Sequence, residues 1–312
     1  MKILYRYMFP IMCLLLNHAY SQKSAEVLLV VLGTVQDAGS PHAACKKTCC
    51  VDLFDHPDSE RKVVSLGLID KINERKYLFE ATPDMTSQMK NLTQIGGFNK
   101  RETPDGIFLS HAHIGHYTGL MYLGKEAMNA GGVIVHAMPK MKEYLENNGP
   151  WSQLVNNQNI KIDAAKNGRA IELSNQISVE PIVVPHRDEY SETVGFRIAG
   201  PNKSALFIPD IDKWEKWNLN IIDEIKKVDY AFLDATFFDA KEINNRDISE
   251  IPHPFVIESM KKFQSLEEKD RYKVIFIHMN HTNPLLDPAS EASKEVLKKG
   301  FRIARFNDVF SL

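Results

Sequence analysis

Apolar residues along this 312-residue chain fall into short runs, many of them β-branched or aromatic, separated by polar turns. Runs of that length and make-up predict strands at 27–32, 63–69, 77–79, 106–109, 133–136, 179–184, 194–198, 205–208, 230–233 and 274–277. Between them the apolar spacing changes to a helical period at 85–92, 118–127, 140–147, 219–227, 254–263 and 288–299. Strands and helices interspersed in this way predict a layered α/β protein rather than a sandwich or a bundle. No repeat and no glycine- or proline-rich linker divides the sequence, so one domain is expected. Polar residues with chemical potential sit just past the predicted strand ends: Asp84, His111, His186, Asp210, Asp234 and His278. Loops at strand ends are where α/β scaffolds place chemistry, so these positions are expected to converge on one site.

The amino terminus follows a different pattern. Lys2 and Arg6 precede an apolar stretch over 8–16, and Ala19-Tyr20-Ser21 then supplies small residues at a cleavable position. That is the plan of a secretory signal peptide, and the stretch is too short to span a bilayer. Residues 1–21 are therefore expected to be removed, leaving a domain over 22–312 that is periplasmic or secreted. No later segment approaches the roughly 18 apolar residues of a membrane helix, so no stable membrane insertion is expected. A formal net charge of -2 gives no electrostatic reason to expect a nucleic-acid partner and favours a small-molecule substrate. Past Cys13 the chain carries Cys45, Cys49 and Cys50. An odd, clustered set in an oxidising compartment reads as metal ligation, with a disulfide plus one free thiol as the competing reading.

The densest chemical signal is Ser110-His111-Ala112-His113-Ile114-Gly115-His116, directly after the predicted strand at 106–109. Three imidazoles held on a strand-to-helix turn can face one ion, and neutral imidazole is the commonest nitrogen ligand for zinc. The segment HAHIGHYTGL resembles the H-x-H-x-D-H motif of the metallo-β-lactamase superfamily. The resemblance implies a four-layer αββα fold with metal ions at one edge between two sheets. It also implies a ligand set: His111, His113 and His186 on one metal, His116 and His278 on a second, and Asp210 bridging. Gly115 departs from the pattern, because the family has there an aspartate that ligates the second metal. Asp212 is one candidate to compensate; a single-metal site is the other reading. Gly115→Asp tests the gap: a rise in second-metal occupancy would mean that the native site is under-liganded.

The flanking blocks 31–41, 80–84, 233–238 and 278–284 resemble the branch that holds pyrroloquinoline quinone biosynthesis protein B and the phosphonate-pathway cyclic phosphodiesterase. In the phosphodiesterase, amino-terminal cysteines and a histidine three residues past the last catalytic ligand bind structural zinc. By that likeness Cys45, Cys49, Cys50 and His281 form a candidate structural zinc site, with His42 able to replace one cysteine.

The chemistry implied is metal-dependent hydrolysis of an ester, phosphodiester or lactam-like bond. A bound metal lowers the pKa of its water from about 15.7 toward ~7. Zn2+ is the expected ion, one or two at the active site, with Mn2+ and Fe2+ left open. Asp210 is expected to orient the nucleophile as well as ligate, and His253 to give the leaving group its proton. Asp84 and Asp234 are expected behind metal-bound histidines, fixing their tautomers, or at helix caps. His136 is read as structural. Trp214 and Trp217 either wall a substrate cleft or anchor a helix. Two other functional readings stand beside hydrolysis: redox chemistry at the metal, as in a cofactor-biosynthesis enzyme, and a non-catalytic metal-binding protein.

Overall fold

The inner strands are apolar at most positions because both of their faces are covered. In β1 (Val27–Gly33), Val27, Leu29 and Val31 enter one core, while Leu28, Val30 and Leu32 enter another. Side chains alternate along a strand, so a continuous apolar run is what burial on both faces demands. The computed structural model describes residues 26–97, 101–243 and 247–312, and the signal-peptide expectation for 1–21 lies outside them.

The first sheet contains β1, β2 (Ser65–Asp70), β3 (Arg75–Phe79), β4 (Gly106–Phe108), β5 (Val133–Ala137) and β6 (Ile160–Ala164). The second contains β7 (Ile171–Ser174), β8 (Ile177–Val183), β9 (Val194–Ala199), β10 (Ser204–Ile208), β11 (Tyr230–Asp234), β12 (Val274–Ile277) and β13 (Arg302–Ile303). The last strand, β14 (Val309–Ser311), returns to the first sheet beside β1. Each sheet is mixed: hairpins join β1 to β3 and β7 to β10, and parallel pairing runs from β3 to β6 and from β10 to β13.

Between the sheets lies a core rich in phenylalanine, with Phe79 stacked on Phe108 at 5.0 Å and edge-on to Phe207 at 6.2 Å. Burying one such ring contributes about 1.5–3 kcal/mol. Helices cover both outer faces. The first sheet carries α1 (Met85–Gly96), α2 (Ile114–Tyr117), α3 (Pro139–Asn147) and α4 (Trp151–Asn156). The second carries α5 (Ile221–Lys226), α6 (Val256–Phe263), the short α7 (Glu268–Arg271) and α8 (Glu291–Lys298). The four αββα layers expected from the sequence are those observed.

Two differences have plain causes. Strands β6, β7, β13 and β14 were not expected, since they are short and alternate apolar with charged or polar residues. The helix expected over 118–127 is a 3-10 turn, Thr118–Leu123, that stops where Gly124 becomes extended. Gly119 presses against the preceding loop there, and a Cβ on it would lie 2.2 Å from the Thr82 carbonyl oxygen.

A backbone bridge past β1 ties the two sheets together. Beyond β1 the chain leaves its sheet, and Val35 bridges to both Val63 and Met279. Met279 donates its N–H to Thr34 O at 2.8 Å, and Gln36 donates to Met279 O at 2.8 Å. The β1 exit is thereby tied to the β12 exit. No helix among the described residues is long and apolar enough to cross a membrane.

Candidate metal centre

The carboxyl ends of β4, β8, β10, β11 and β12 meet at one edge of the two sheets. Asp210, two residues past β10, is buried, and its Oδ2 is the point on which the site converges. His111 Nε2 lies 3.4 Å from it, His186 Nε2 3.3 Å and His113 Nδ1 3.9 Å. His116 Nε2 and His278 Nε2 each stand 4.0 Å away. Two ligands at about 2.0–2.2 Å from a tetrahedral ion are ~3.4 Å apart, so the His111 and His186 spacings fit a shared metal.

The unpaired atoms make the same point. The Nε2 atoms of His111, His116, His186 and His278 are buried and make no hydrogen bond among the described residues. A buried polar atom without a partner costs about 1–3 kcal/mol. Four of them aimed at one carboxylate fit a cation, and the residues present therefore suit the metal that the fold implies.

Behind four of the five rings a polar group faces the second ring nitrogen. Ser110 Oγ is 2.8 Å from His111 Nδ1, Asp212 Oδ1 3.2 Å from His186 Nδ1, and Thr236 Oγ1 2.9 Å from His278 Nδ1. Glu80, fully buried, stands 3.6 Å from His116 Nδ1. Both Glu80 (φ 76°) and His278 (φ 66°) adopt the left-handed region that non-glycine residues avoid, strain that this site tolerates to aim their side chains.

The charges follow from these contacts. Burial, reinforced by the neighbouring His116, holds His111 well below the ordinary histidine range. Burial opposes protonation of His116 too, yet the carboxylate of Glu80 lifts it to about 9. Asp210 is driven up by burial but held well below the carboxylate range by His253 and His186.

His253 joins the cluster as well. Its Nδ1 lies 2.9 Å from Asp234 Oδ2 and 3.1 Å from Asp210 Oδ1. Burial works against its charge, but these two carboxylates raise it well above the ordinary histidine value. Burial likewise opposes ionisation of Asp234, and His253 facing it holds the carboxyl at about 2.

Two expectations need correction, those for Asp84 and Asp212, while the structural readings of His136 and of the tryptophans hold. Among the described residues Asp84 meets no histidine, and its side chain does not cap α1; it accepts from the Val63 N–H at 2.8 Å. Asp212 is no second-metal ligand, because its carboxylate is spent on His186 Nδ1 and on Lys216 at 2.8 Å. Trp214 and Trp217 are buried, donating to Ser259 Oγ and Val183 O, so they anchor the outer layer, and Trp217 also borders the cleft beside His186 and Asp212. His136 pairs with Asp163 and stacks on Phe108, away from the cluster.

Sequence reasoning also missed Glu80, Ser110 and Thr236 behind the rings, and Asp37 beside them. Asp37, four residues past β1, offers an oxygen within 4.8 Å of nitrogens on both His116 and His278. The signal was available, since Asp37 and Glu80 follow strand ends just as the histidines do.

A second cluster lies nearby. Cys45, Cys49, Cys50 and His281 bring their ligand atoms within 4.8 Å of one another, and the three thiols are free. Cys49 Sγ and Cys50 Sγ are 3.8 Å apart, and His281 Nδ1 is 3.5 and 3.3 Å from them. A tetrahedral zinc with bonds of about 2.3 Å to sulfur and 2.0–2.1 Å to nitrogen has edges of ~3.8 and ~3.5 Å. Adjacent Cys49 and Cys50 thus both reach one point. His42 is not in the set; its Nδ1 is 2.9 Å from the Ala43 carbonyl and its ring lies against His281.

A fold of two mixed sheets between helices, with histidines and a shared aspartate at one edge, defines a metallo-β-lactamase type of protein. Residues 75–279 match the Beta-lactamase superfamily domain, and the chain belongs to that family. It is similar to Coenzyme PQQ synthesis protein B of Pseudomonas protegens, 24% identical over 295 residues that cover 88% of this chain and 96% of that one. The Rhizobium meliloti protein of the same name is 22% identical over 303 residues, covering 90% and 96%. Among solved structures, Zn(2+)-bound PqqB from Methylobacterium extorquens superposes with a TM-score of 0.75 at 21% identity, covering 91% of this chain and all of that one. A diphosphatase from the PhnP family gives 0.61 at 20% identity, covering 91% and 96%. The branch resembling these two families is the one to which the sequence blocks pointed.

Proposed function

We propose that this chain is an exported metal-dependent hydrolase that cleaves an ester, phosphodiester or lactam-like bond in a small-molecule substrate. One observation carries the reading: five imidazole nitrogens lie within 3.3–4.0 Å of a single buried oxygen, Asp210 Oδ2. His111, His113, His186 and Asp210 would hold one divalent ion, zinc being the expected one, and His116 and His278 would face a second. Bound there, the metal supplies Lewis acidity and an activated water at neutral pH.

The protein's own residues do the rest. Asp210 is negative at neutral pH and sits where a nucleophile's proton can be accepted or its lone pair aimed. His253 carries a proton held between Asp234 and Asp210 at Nδ1, which leaves Nε2 to donate to a departing oxygen or nitrogen. Superfamily relatives with hydrolytic names, such as the PhnP-family diphosphatase, support this reading. Export rests on the charged and apolar pattern of residues 1–21, and amino-terminal sequencing of the mature protein tests it.

The central experiment measures bound metal and then turnover on a panel of phosphodiesters, esters and lactams, with His111→Ala beside the wild type. Loss of both metal and turnover in the variant is expected. Full turnover by His111→Ala would sink the proposal. Tightly bound iron or copper in place of zinc would instead favour redox chemistry at the metal.

A further inference from the structure

The motif lacks its aspartate, yet the space that an aspartate would fill is not vacant. A Cβ built on Gly115 would lie 2.1 Å from Asp37 Cβ and 2.5 Å from both Asp37 Cα and Asp37 O. A side chain at 115 and the residue at 37 therefore compete for one volume. Asp37 occupies it, and its carboxylate, His116 and His278 offer three donor atoms within 4.8 Å of one another.

We propose that Asp37 is the carboxylate ligand of the second metal position, delivered from the β1 exit loop in place of a motif aspartate at 115. The donor chemistry is unchanged by that exchange: two imidazoles, one terminal carboxylate and the shared Asp210. Hard oxygen and borderline nitrogen donors of this kind suit zinc, manganese or iron(II). The placement is firm because Asp37 follows the crossing segment directly. Gln36 N–H and Met279 N–H bond across it, and Met279 is the residue after His278. The backbone ladder thus sets the distance between one ligand and the other. Glycine at 115 is what lets the loop approach, and its φ is not in the left-handed region, so space rather than backbone conformation requires it.

This inference rests on the histidine cluster being a metal centre, and the test separates the two claims. Metal-free protein is titrated with cobalt(II), following ligand-field absorption and final metal content. Uptake at the cysteine site is recognised by its sulfur-to-cobalt charge-transfer band. Wild type is expected to fill two histidine-site positions in sequence. Losing a hydrogen-bond partner behind a ligand costs about 10–100-fold in affinity, so losing the ligand itself is expected to cost about 100-fold or more. Asp37→Ala should show that loss in the second step alone, with the first unchanged. Asp37→Asn keeps the shape without the charge and should move the second step in the same direction with the melting temperature unaltered.

Equal second-step affinity in wild type and both variants overturns the assignment. So does a wild type that takes a single histidine-site ion regardless of residue 37, although the metal centre would then stand. A wild type that takes no ion at these histidines, with no response to His111→Ala, removes the metal centre and this ligand together.

Discussion

Gly115→Ala is the smallest perturbation that tests how the centre is built. In most helical settings the change would help, because alanine loses less chain entropy than glycine, by about 0.5–1 kcal/mol. Here the new methyl would stand 2.5 Å from the Asp37 backbone, at both Cα and the carbonyl oxygen. Ordinary contact begins near 3.4 Å, so the loop must retreat by about 1 Å, and backbone fastened by the Thr34–Met279 and Gln36–Met279 hydrogen bonds resists this. Overpacking of this kind costs about 1–3 kcal/mol, which exceeds the entropic gain. Net of that gain the loss is about 1–2 kcal/mol, and at roughly 2–4 °C per kcal/mol for a large domain the melting temperature should fall by about 2–8 °C. Thermal unfolding monitored by circular dichroism reads this directly. Gly131→Ala is the control, since a Cβ there meets nothing within 4 Å and its φ is not left-handed. The second-step metal affinity should fall with Gly115→Ala as Asp37 is pushed aside. If Gly115→Ala melts at or above the wild type, as the control should, then Asp37 does not fill that space and the reasoning fails. By the same contact Gly115→Asp should impair the second site rather than fill it.

Other outcomes can be checked with similar economy. Removing the carboxylate behind His186 with Asp212→Ala should weaken first-site metal affinity by about 10–100-fold in a chelator competition; unchanged affinity would mean the contact is idle. His253→Ala should lower kcat by about 100–10,000-fold for substrates with poor leaving groups and much less for p-nitrophenyl esters, where no proton is needed; equal losses would contradict a proton-donor role. Cys45→Ser should lower zinc content by one equivalent and leave histidine-site uptake in place, and unchanged content would remove the structural site. Glu242 gives a pH signature, because burial raises its carboxyl from 4.5 to about 7 against the bonds it accepts from Thr282 Oγ1 and the Phe238 N–H. The folded state then binds this proton more readily than the unfolded state. Its stability is full below about pH 4.5 and declines by at most about 3 kcal/mol as pH rises to about 7. In urea titrations Glu242→Gln should abolish that decline, and an identical pH slope in the variant would refute the assignment.

Much of this was legible in the sequence because burial on two faces leaves a continuous apolar signature. Strands such as β1 and β12 carry nothing but apolar residues and glycine, and their ends mark where His278 and Asp37 emerge. Edge strands gave no such mark. In β6, Lys161 and Asp163 stand between apolar residues, an alternation that suits one solvated face and reads equally as loop. The motif histidines were visible because three ligands lie on one turn. His186, Asp210 and His278 were marked by their places past strand ends, and their ligand roles came through the family likeness, in which their order along the chain is given.

What escaped was set by contacts between segments far apart in sequence. Asp84 and Glu80 both follow β3, and nothing local says which turns inward. The left-handed φ of Glu80 turns it toward His116, while Asp84 is drawn off to the Val63 N–H. Asp212 likewise looked free to ligate until the position of His186 Nδ1 was known. Asp37 is the sharpest case. A motif read along the chain registers a missing carboxylate at 115, whereas an ion registers only which oxygen reaches it. Gly115 and Asp37 are separated by nearly eighty positions of sequence, and the Val35–Met279 bridge brings them to the same volume. The absence of a side chain at one position is then the condition for the presence of the other, and a glycine that looked like decay is part of how the site is assembled.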